Sequence, residues 1–447
     1  MDDGFQHYLD EYHRDIGIQA AHACVDCPDS EGFLAAHLPV FDLAAGSVAA
    51  YAAAITRAAP ETAPRWRLDP ERIAASFASD RLIRIDGQAV SGFSEYSGFF
   101  TAADGWVRTH GNYPHHRDRL LAILGLDSTA TTASVAQKIS SLDAVEVEQR
   151  AVDAGAIAVR VRTEAQWRAG EQSAAARSAP LVTVRTRGTG SATPRSPGIG
   201  RPLDGIRVLD LTRVIAGPVA TRALALLGAD VLRIDPPAIP EIEWQHLDNG
   251  QGKRSTLLDL KTTGGHATFL GLLEDADVLV TGYRPGALEA LLGQELPGHL
   301  VHGRVSAWGW DGPWADRRGF DSIVQAASGI SFLEGGERPG ALPAQALDHA
   351  TGYFLAAAIV DALTLRNSDG HGRDVDLALA STGARLLDAP GRTLDPGAPT
   401  TPGPRVTATH GKVTATRPAL VEFDDYPQQA RPWGADRAEW AHRAHRR

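Results

Sequence analysis

The chain has 447 residues, 43% of them hydrophobic and 22% charged, a balance that builds folded cores and excludes wholesale disorder. That length points to two or three domains. Lys and Arg number 44 against 54 Asp and Glu, a formal net charge of −10, so nothing draws the whole molecule toward nucleic acid or a membrane surface, and any phosphate must be met by a local site.

In chain order, the N-terminus begins Met1-Asp2-Asp3-Gly4, with acids where an export signal needs bases. No 18-residue apolar run follows, so a soluble, cytoplasmic protein is expected. Cys24 and Cys27 are the only cysteines; one C-x-x-C pair is neither a disulfide framework nor a full zinc ligand set, and no metal is expected. An Ala-rich helix is predicted over Leu43–Arg57, a short strand at Trp106–Thr109 and a helix over Arg117–Leu124, a small α+β pattern. Residues 185–202, rich in Gly, Pro, Ser and Thr, read as a linker between a first lobe (1–184) and a second (203–389).

The second lobe alternates strand and helix signals. Strands are predicted at Ile206–Leu211, Asp230–Ile234, Ser255–Asp259, Val278–Val280 and His302–Ala307, with helices over Gly217–Leu227 and Gly264–Leu273. Strand, helix, strand in that order implies a parallel sheet with right-handed crossovers, hence an α/β fold with a Rossmann-like doubly wound sheet beside the smaller α+β domain. Residues 390–447 are expected to form a loosely attached Pro/Gly-rich tail, with a strand at Lys412–Thr416.

A repeat links the lobes: Leu-Pro, then Asp, then Gly four residues on, then an Ala-rich helix, at 36–55 and again at 342–359. Asp42 and Asp348 are the counterparts. Asp348 directly precedes the helix predicted over Ala350–Arg366, where Asp is a favoured cap and also a carboxylate beside free N–H groups able to hold an oxyanion. No G-x-G-x-x-G follows the first strand of the second lobe, and Pro236-Pro237 follow Asp235, which argues against NAD. The loop Thr212–Pro218 still leads into a helix N-terminus that suits phosphate, with Arg213, Lys253, Arg254 and Arg284 as available cations.

Together these segments resemble the class III coenzyme A-transferase (CaiB/BaiF) family, which also includes α-methylacyl-CoA racemases. The resemblance is carried by the run Pro202–Asp210 with Ala216-Gly217-Pro218, by Leu227-Gly228-Ala229-Asp230-Val231, and by Gly252-Lys253-Arg254-Ser255. It continues in Tyr283-Arg284-Pro285-Gly286-Ala287-Leu288, Gly309-Trp310-Asp311-Gly312-Pro313, Arg318-Gly319-Phe320-Asp321 and Asp348 with Gly352. The first lobe resembles the later part of the same family, through Tyr96, the run Thr101–Gly105 and Leu124-Gly125, so the chain reads as a trimmed, rearranged tandem fusion.

The resemblance implies that Asp348 attacks an acyl-CoA thioester and that CoA moves between carboxylic acids through an aspartyl anhydride and an aspartyl-CoA thioester. It implies Arg213, Val214, Ile215, Ala216, Lys253, Arg254, Tyr283 and Arg284 along the coenzyme path. Acyl-CoA and a carboxylic acid are then the partners, with no permanently bound cofactor; family members form interlocked dimers, which a fused chain would mimic internally or repeat by forming a homodimer. Phe320 stands where a racemase has its second base, and phenylalanine moves no proton. Asp321 reads as structural and Asp42 as a relic cap. His115, His116 and Asp118 read as a solvated surface. A non-catalytic partner or scaffold is the second reading and a racemase or isomerase the third; the first two differ in whether the first lobe closes over the coenzyme path near Asp348.

Overall fold

Short runs of Val, Leu and Ile in the second lobe form strands buried on both faces, as parallel strands between helical layers must be. The computed structural model describes residues 4–18, 25–61, 63–188, 201–293 and 295–441. Its main sheet contains β1 (Thr183–Thr186), β2 (Arg207–Leu211), β3 (Asp230–Asp235), β4 (Arg254–Leu257), β5 (Val278–Thr281), β6 (Val301–Ser306) and β7 (Arg373–Ala378). Their spatial order is β4-β3-β2-β5-β6-β7-β1, all parallel except β1, which runs antiparallel to β7. The chain winds outward in both directions from the β2–β5 neighbours, and in such sheets ligands bind beyond the carboxyl ends of the strands at that reversal.

Six helices matter to the site: α1 (Gly4–Asp15), α2 (Val40–Ala58), α3 (Pro114–Ile123), α4 (Ala216–Leu226), α5 (Asp321–Ser328) and α6 (Ala346–Asp369). The two Ala-rich repeat helices α2 and α6 pack on each other, and every residue of Leu43–Ile55 is buried. Small side chains let the axes approach closely, and the repeat glycines let a third helix join each. A Cβ on Gly46 would sit 2.6 Å from the Tyr8 Cβ of α1, and one on Gly352 would sit 2.6 Å from the Ala216 carbonyl oxygen of α4. Polar ties cross the same layer: Arg57 of α2 pairs bidentately with Asp361 of α6 at 2.7 Å, and Tyr12 of α1 donates to the same carboxylate.

The first lobe carries a three-stranded antiparallel sheet, Phe99–Ala102, Gly105–Thr109 and Ala158–Arg160, with its own small core. Two boundaries differ from expectation. The start of the predicted linker lies within strand β1, because Val184 and Arg185 pair with Val375 and Asp374 of β7; residues 189–200 lie outside the described residues. The C-terminal segment is docked rather than loose over 390–441. Thr407–His410 and Val413–Thr416 form a four-stranded sheet with Arg84–Ile85 and Gln88–Ala89, and Trp433 donates to Asp235 at 3.1 Å. Isolated Pro and Gly in that stretch end strands without preventing aromatic anchors from burying.

Candidate active site

Helix α6 begins at Ala346, four residues earlier than the sequence pattern suggests, so Asp348 lies in the first turn and is not its cap. The capping role belongs to a carboxylate from another element. Asp321, at the start of α5, accepts the backbone N–H of Asp348 at 2.9 Å and is held in turn by the side-chain amide of Gln325. This leaves the Asp348 carboxyl free to face a cavity of about 400 Å³. Burial raises its pKa well above the ordinary carboxylate range, and the neighbouring Asp321 charge raises it further. Burial also raises Asp321, to about 6, against the N–H donors that favour its ionised form.

The cavity opens where the strand order reverses. Leu211 and the loop Arg213–Gly217 line it after β2, Asp235 and Pro236 after β3, Tyr283 and Arg284 after β5, and Ala307 after β6. Within the loop, Val214 adopts φ 72°, a left-handed conformation costly for a β-branched residue and typical of functional sites. Its surroundings hold it there: Glu241 accepts the Val214 N–H at 3.4 Å, and Asn249 donates to the Val214 carbonyl at 3.0 Å. Among the described residues no side chain caps α4, and its N-terminal turn presents Ala216 and Gly217 to the cavity.

The opposite wall comes from the first lobe. Tyr113, His115, His116 and Ile157 line the same cavity as Asp348. Tyr113 donates its hydroxyl to the buried carboxylate of Glu241, and the Arg213 guanidinium lies 5.0 Å over the Tyr113 ring. Glu241 also pairs with Arg233 at 2.8 Å, and Arg233 with Asp235 at 2.8 Å. Burial opposes the Glu241 charge, yet Arg233, Arg213 and the Tyr113 hydroxyl bring its pKa down to about 2. One ionised carboxylate thus latches the first lobe to the loop that carries Val214.

Of the residues predicted along the coenzyme path, Arg213, Val214, Ile215, Ala216, Tyr283 and Arg284 share the cavity with Asp348. Lys253 and Arg254 do not. Lys253 is buried beneath α4, donating to Asp210 at 3.0 Å, to Thr221 and to the Pro218 carbonyl; burial lowers its pKa to about 8, with Asp210 acting the other way. Arg254 begins β4 and pairs with Asp230, the first residue of β3. Parallel strands carry their first residues to the edge opposite the cavity.

Several further readings change. His115 and His116 are not a solvated surface: α3 points its N-terminus at the cavity, so both first-turn imidazoles enter it, while Asp118 stays outside with Arg117. His116 is 7% exposed, and burial first, then His115, Arg318 and Arg119, lower its pKa to about 3. The buried ring of His110 stacks on Phe320 with centroids 3.9 Å apart. Asp42, like Asp348, occupies a first turn and is not the N-cap of its own helix; its carboxyl abuts Gly4 at the start of α1 and does not line the cavity. Asp235 has its oxygens engaged by Arg233 and Trp433. Cys24 lies outside the described residues, Cys27 is half-buried, and no cluster of metal-ligating side chains occurs among the described residues. Nor is any described helix long and apolar enough to cross a membrane.

Sequence reasoning missed Tyr113, Glu241 and the inward placement of His116. The Tyr-Pro step that starts α3 marks a helix N-terminus, but nothing local reveals what that terminus faces.

Among known proteins, residues 203–413 match CoA-transferase family III. The chain is 35% identical over 199 residues to acetyl-coenzyme A transferase nodX of Hypoxylon pulicicidum, covering 42% of this chain and 33% of that protein. It is 34% identical over 202 residues to probable fatty acyl-CoA transferase Rv3272 of Mycobacterium tuberculosis, covering 40% and 50%. A crystal structure of that protein aligns with a TM-score of 0.39 at 33% identity, covering 43% of this chain and 57% of the other. An acyl-CoA transferase of Gibberella moniliformis is 30% identical over 359 residues, covering 73% of this chain and 60% of the relative. A share of 73% is more than either lobe supplies alone, so that similarity extends across the segment between them. The chain spans between 33% and 60% of the length of these relatives.

Proposed function

The chain belongs to CoA-transferase family III through residues 203–413, and from that premise we propose that it moves CoA from an acyl-CoA to a second carboxylic acid with Asp348 as nucleophile. The observation that carries this reading is the closure of the Asp348 cavity by Tyr113, His116 and Ile157 of the first lobe, which supplies the wall that a lone sheet edge lacks. A non-catalytic scaffold has no need of a buried carboxyl at the floor of a two-sided cavity.

The steps balance without ATP. The Asp348 carboxylate attacks the thioester carbonyl, the C–S bond breaks, and CoA leaves as thiolate from a mixed anhydride. The thiolate attacks the Asp348 carbonyl of that anhydride, giving aspartyl-CoA thioester and releasing the first acid as carboxylate. An incoming carboxylate attacks this thioester, freeing thiolate again and forming a second anhydride. The thiolate then attacks the new acyl carbonyl, releasing the new acyl-CoA and restoring Asp348. The uncapped first turn of α4 offers N–H donors for the developing oxyanions, and burial keeps water from the anhydrides.

Racemisation draws no support from the site. Phe320 moves no proton, and burial with nearby cations lowers the pKa of both imidazoles that share the cavity with Asp348, His115 and His116, the latter to about 3, which weakens them as bases for an α-proton. Steady-state transfer from acyl-CoA to an isotopically labelled acid tests the proposal. Ping-pong kinetics, with turnover lost in Asp348→Asn, are expected; full turnover in that variant would reject Asp348 as nucleophile.

A further inference from the structure

The Gly252-Lys253-Arg254-Ser255 segment carries part of the family resemblance, yet none of its residues lines the cavity. Lys253 is 2% exposed and lies beneath α4, where its three ammonium protons meet three oxygens: Asp210 at 3.0 Å, the Pro218 carbonyl at 2.9 Å and the Thr221 hydroxyl at 2.6 Å. Asp210, wholly buried near the end of β2, accepts the N–H and the hydroxyl of Thr212 at 2.9 and 2.5 Å and the hydroxyl of Thr221 at 2.6 Å.

These bonds grip both ends of one loop. Thr212 follows β2, Pro218 lies in the first turn of α4, and Arg213–Gly217 between them line the cavity. The two ends also touch, since a Cβ on Gly217 would sit 2.4 Å from the Thr212 Cβ. Val214 keeps φ 72° inside the loop, a conformation that persists only where its surroundings impose it. Glu241 and Asn249 hold its N–H and carbonyl, and the Lys253–Asp210 pair closes the loop from beneath.

The other cations nearby are committed elsewhere. Arg233 on the neighbouring strand pairs with Asp235 and Glu241, and Arg222 of α4 pairs with Asp248. Lys253 is the leading charge that keeps the buried Asp210 ionised. Resting on the transferase reading above, we propose that Lys253 is a positioning residue whose protonated amine ties both ends of the loop Thr212–Pro218 to Asp210 and so holds Arg213–Ala216 in the shape that receives the coenzyme. Burial, then Arg233 and Arg222, oppose the Lys253 charge against the pull of Asp210, which leaves its pKa at about 8. Above that pH the amine loses its proton, Asp210 loses its counter-charge, and the loop relaxes; coenzyme affinity therefore falls as pH rises through about 8.

The test is calorimetry with desulfo-CoA, which has no thiol to ionise and no acyl group to transfer, on the wild type, Lys253→Met and Lys253→Arg. The wild-type Kd is expected to be flat below pH 8 and to rise above it by up to about tenfold per pH unit, the limit for one proton. Lys253→Met is expected to weaken binding by about 10- to 100-fold at neutral pH, with no alkaline rise. Lys253→Arg, whose guanidinium does not titrate, is expected to regain part of the affinity and to lack that rise. Hydrogen exchange in Lys253→Met at neutral pH is expected to quicken within the loop while β2 and β3 stay protected. An unchanged Kd in folded Lys253→Met overturns the proposal, and so does faster exchange spread evenly through the sheet, which assigns Lys253 to overall stability. Should Lys253→Met fail to fold, the wild type and Lys253→Arg decide: a flat wild-type Kd, or an alkaline rise that survives in Lys253→Arg, overturns it. Binding with the expected pH dependence but no trapped acyl group on Asp348 supports this inference and rejects the transferase reading. Trapping on Asp348 with a Kd indifferent to Lys253 does the reverse.

Discussion

The carboxylate of Asp321 accepts the backbone N–H of Asp348 at 2.9 Å, so the group that caps helix α6 is also the negative charge nearest the proposed nucleophile. An internal cap would have consumed the Asp348 side chain. An external one leaves it free and makes its ionised form costly, which favours attack once the carboxylate forms.

That cost predicts a pH-dependent stability. Asp348 has a folded-state pKa above its unfolded value near 3.8, so its contribution is fully present below that value and is lost as pH rises toward the raised folded pKa. Asp348→Asn is therefore expected to raise Tm at neutral pH, by roughly 2–4 °C for each kcal/mol gained, with the gap closing toward pH 4. Thermal melts across pH check this; equal shifts at both ends of the range would contradict it.

Glu241 predicts the opposite sign. Its pKa is held at about 2, below the ordinary value of 4.5, so the stability it contributes is present above 4.5 and is lost as pH falls toward 2. Glu241→Ala leaves Arg233 with Asp235 alone, frees Tyr113 and unlatches the first lobe. A loss of about 3 kcal/mol is expected in urea titration, since breaking a buried pair strands the surviving charge. CoA affinity should fall with it, measured by calorimetry under native conditions.

The two repeat glycines predict different consequences for the same substitution. A Cβ on Gly46 meets Tyr8 of α1, and one on Gly352 meets Ala216 and Val219 of α4. Gly46→Ala and Gly352→Ala should each cost about 1–3 kcal/mol by overpacking. Only Gly352→Ala should also lower kcat, because α4 begins at the cavity and α1 does not.

Much of this arrangement was legible in the residues. Apolar runs such as Val278–Val280, alternating with helix-period segments, point to the parallel sheet, and a loop that follows a strand and leads into a helix, as Arg213–Ala216 does, lies at the carboxyl edge of such a sheet. Lys253 and Arg254 were misplaced because a charge pattern does not reveal which end of a parallel strand a residue occupies; their partners, Asp210 and Asp230, lie 43 and 24 residues away. The first-lobe wall was illegible for the same reason: Tyr113 and Glu241 are 128 residues apart, and His116 has no local feature that tells a cavity from a surface. Asp348 and Asp42 share a motif, and only the packing separates them, one facing a cavity and the other the start of α1.

The most direct measurement is peptide-level mass spectrometry after incubation with acyl-CoA and hydroxylamine, on the wild type, Asp348→Asn and Asp42→Asn. A hydroxamate on Asp348 in the wild type and in Asp42→Asn, absent from Asp348→Asn, is the predicted result. A hydroxamate on another residue, or none while the acyl-CoA is bound and saturating, would contradict the account.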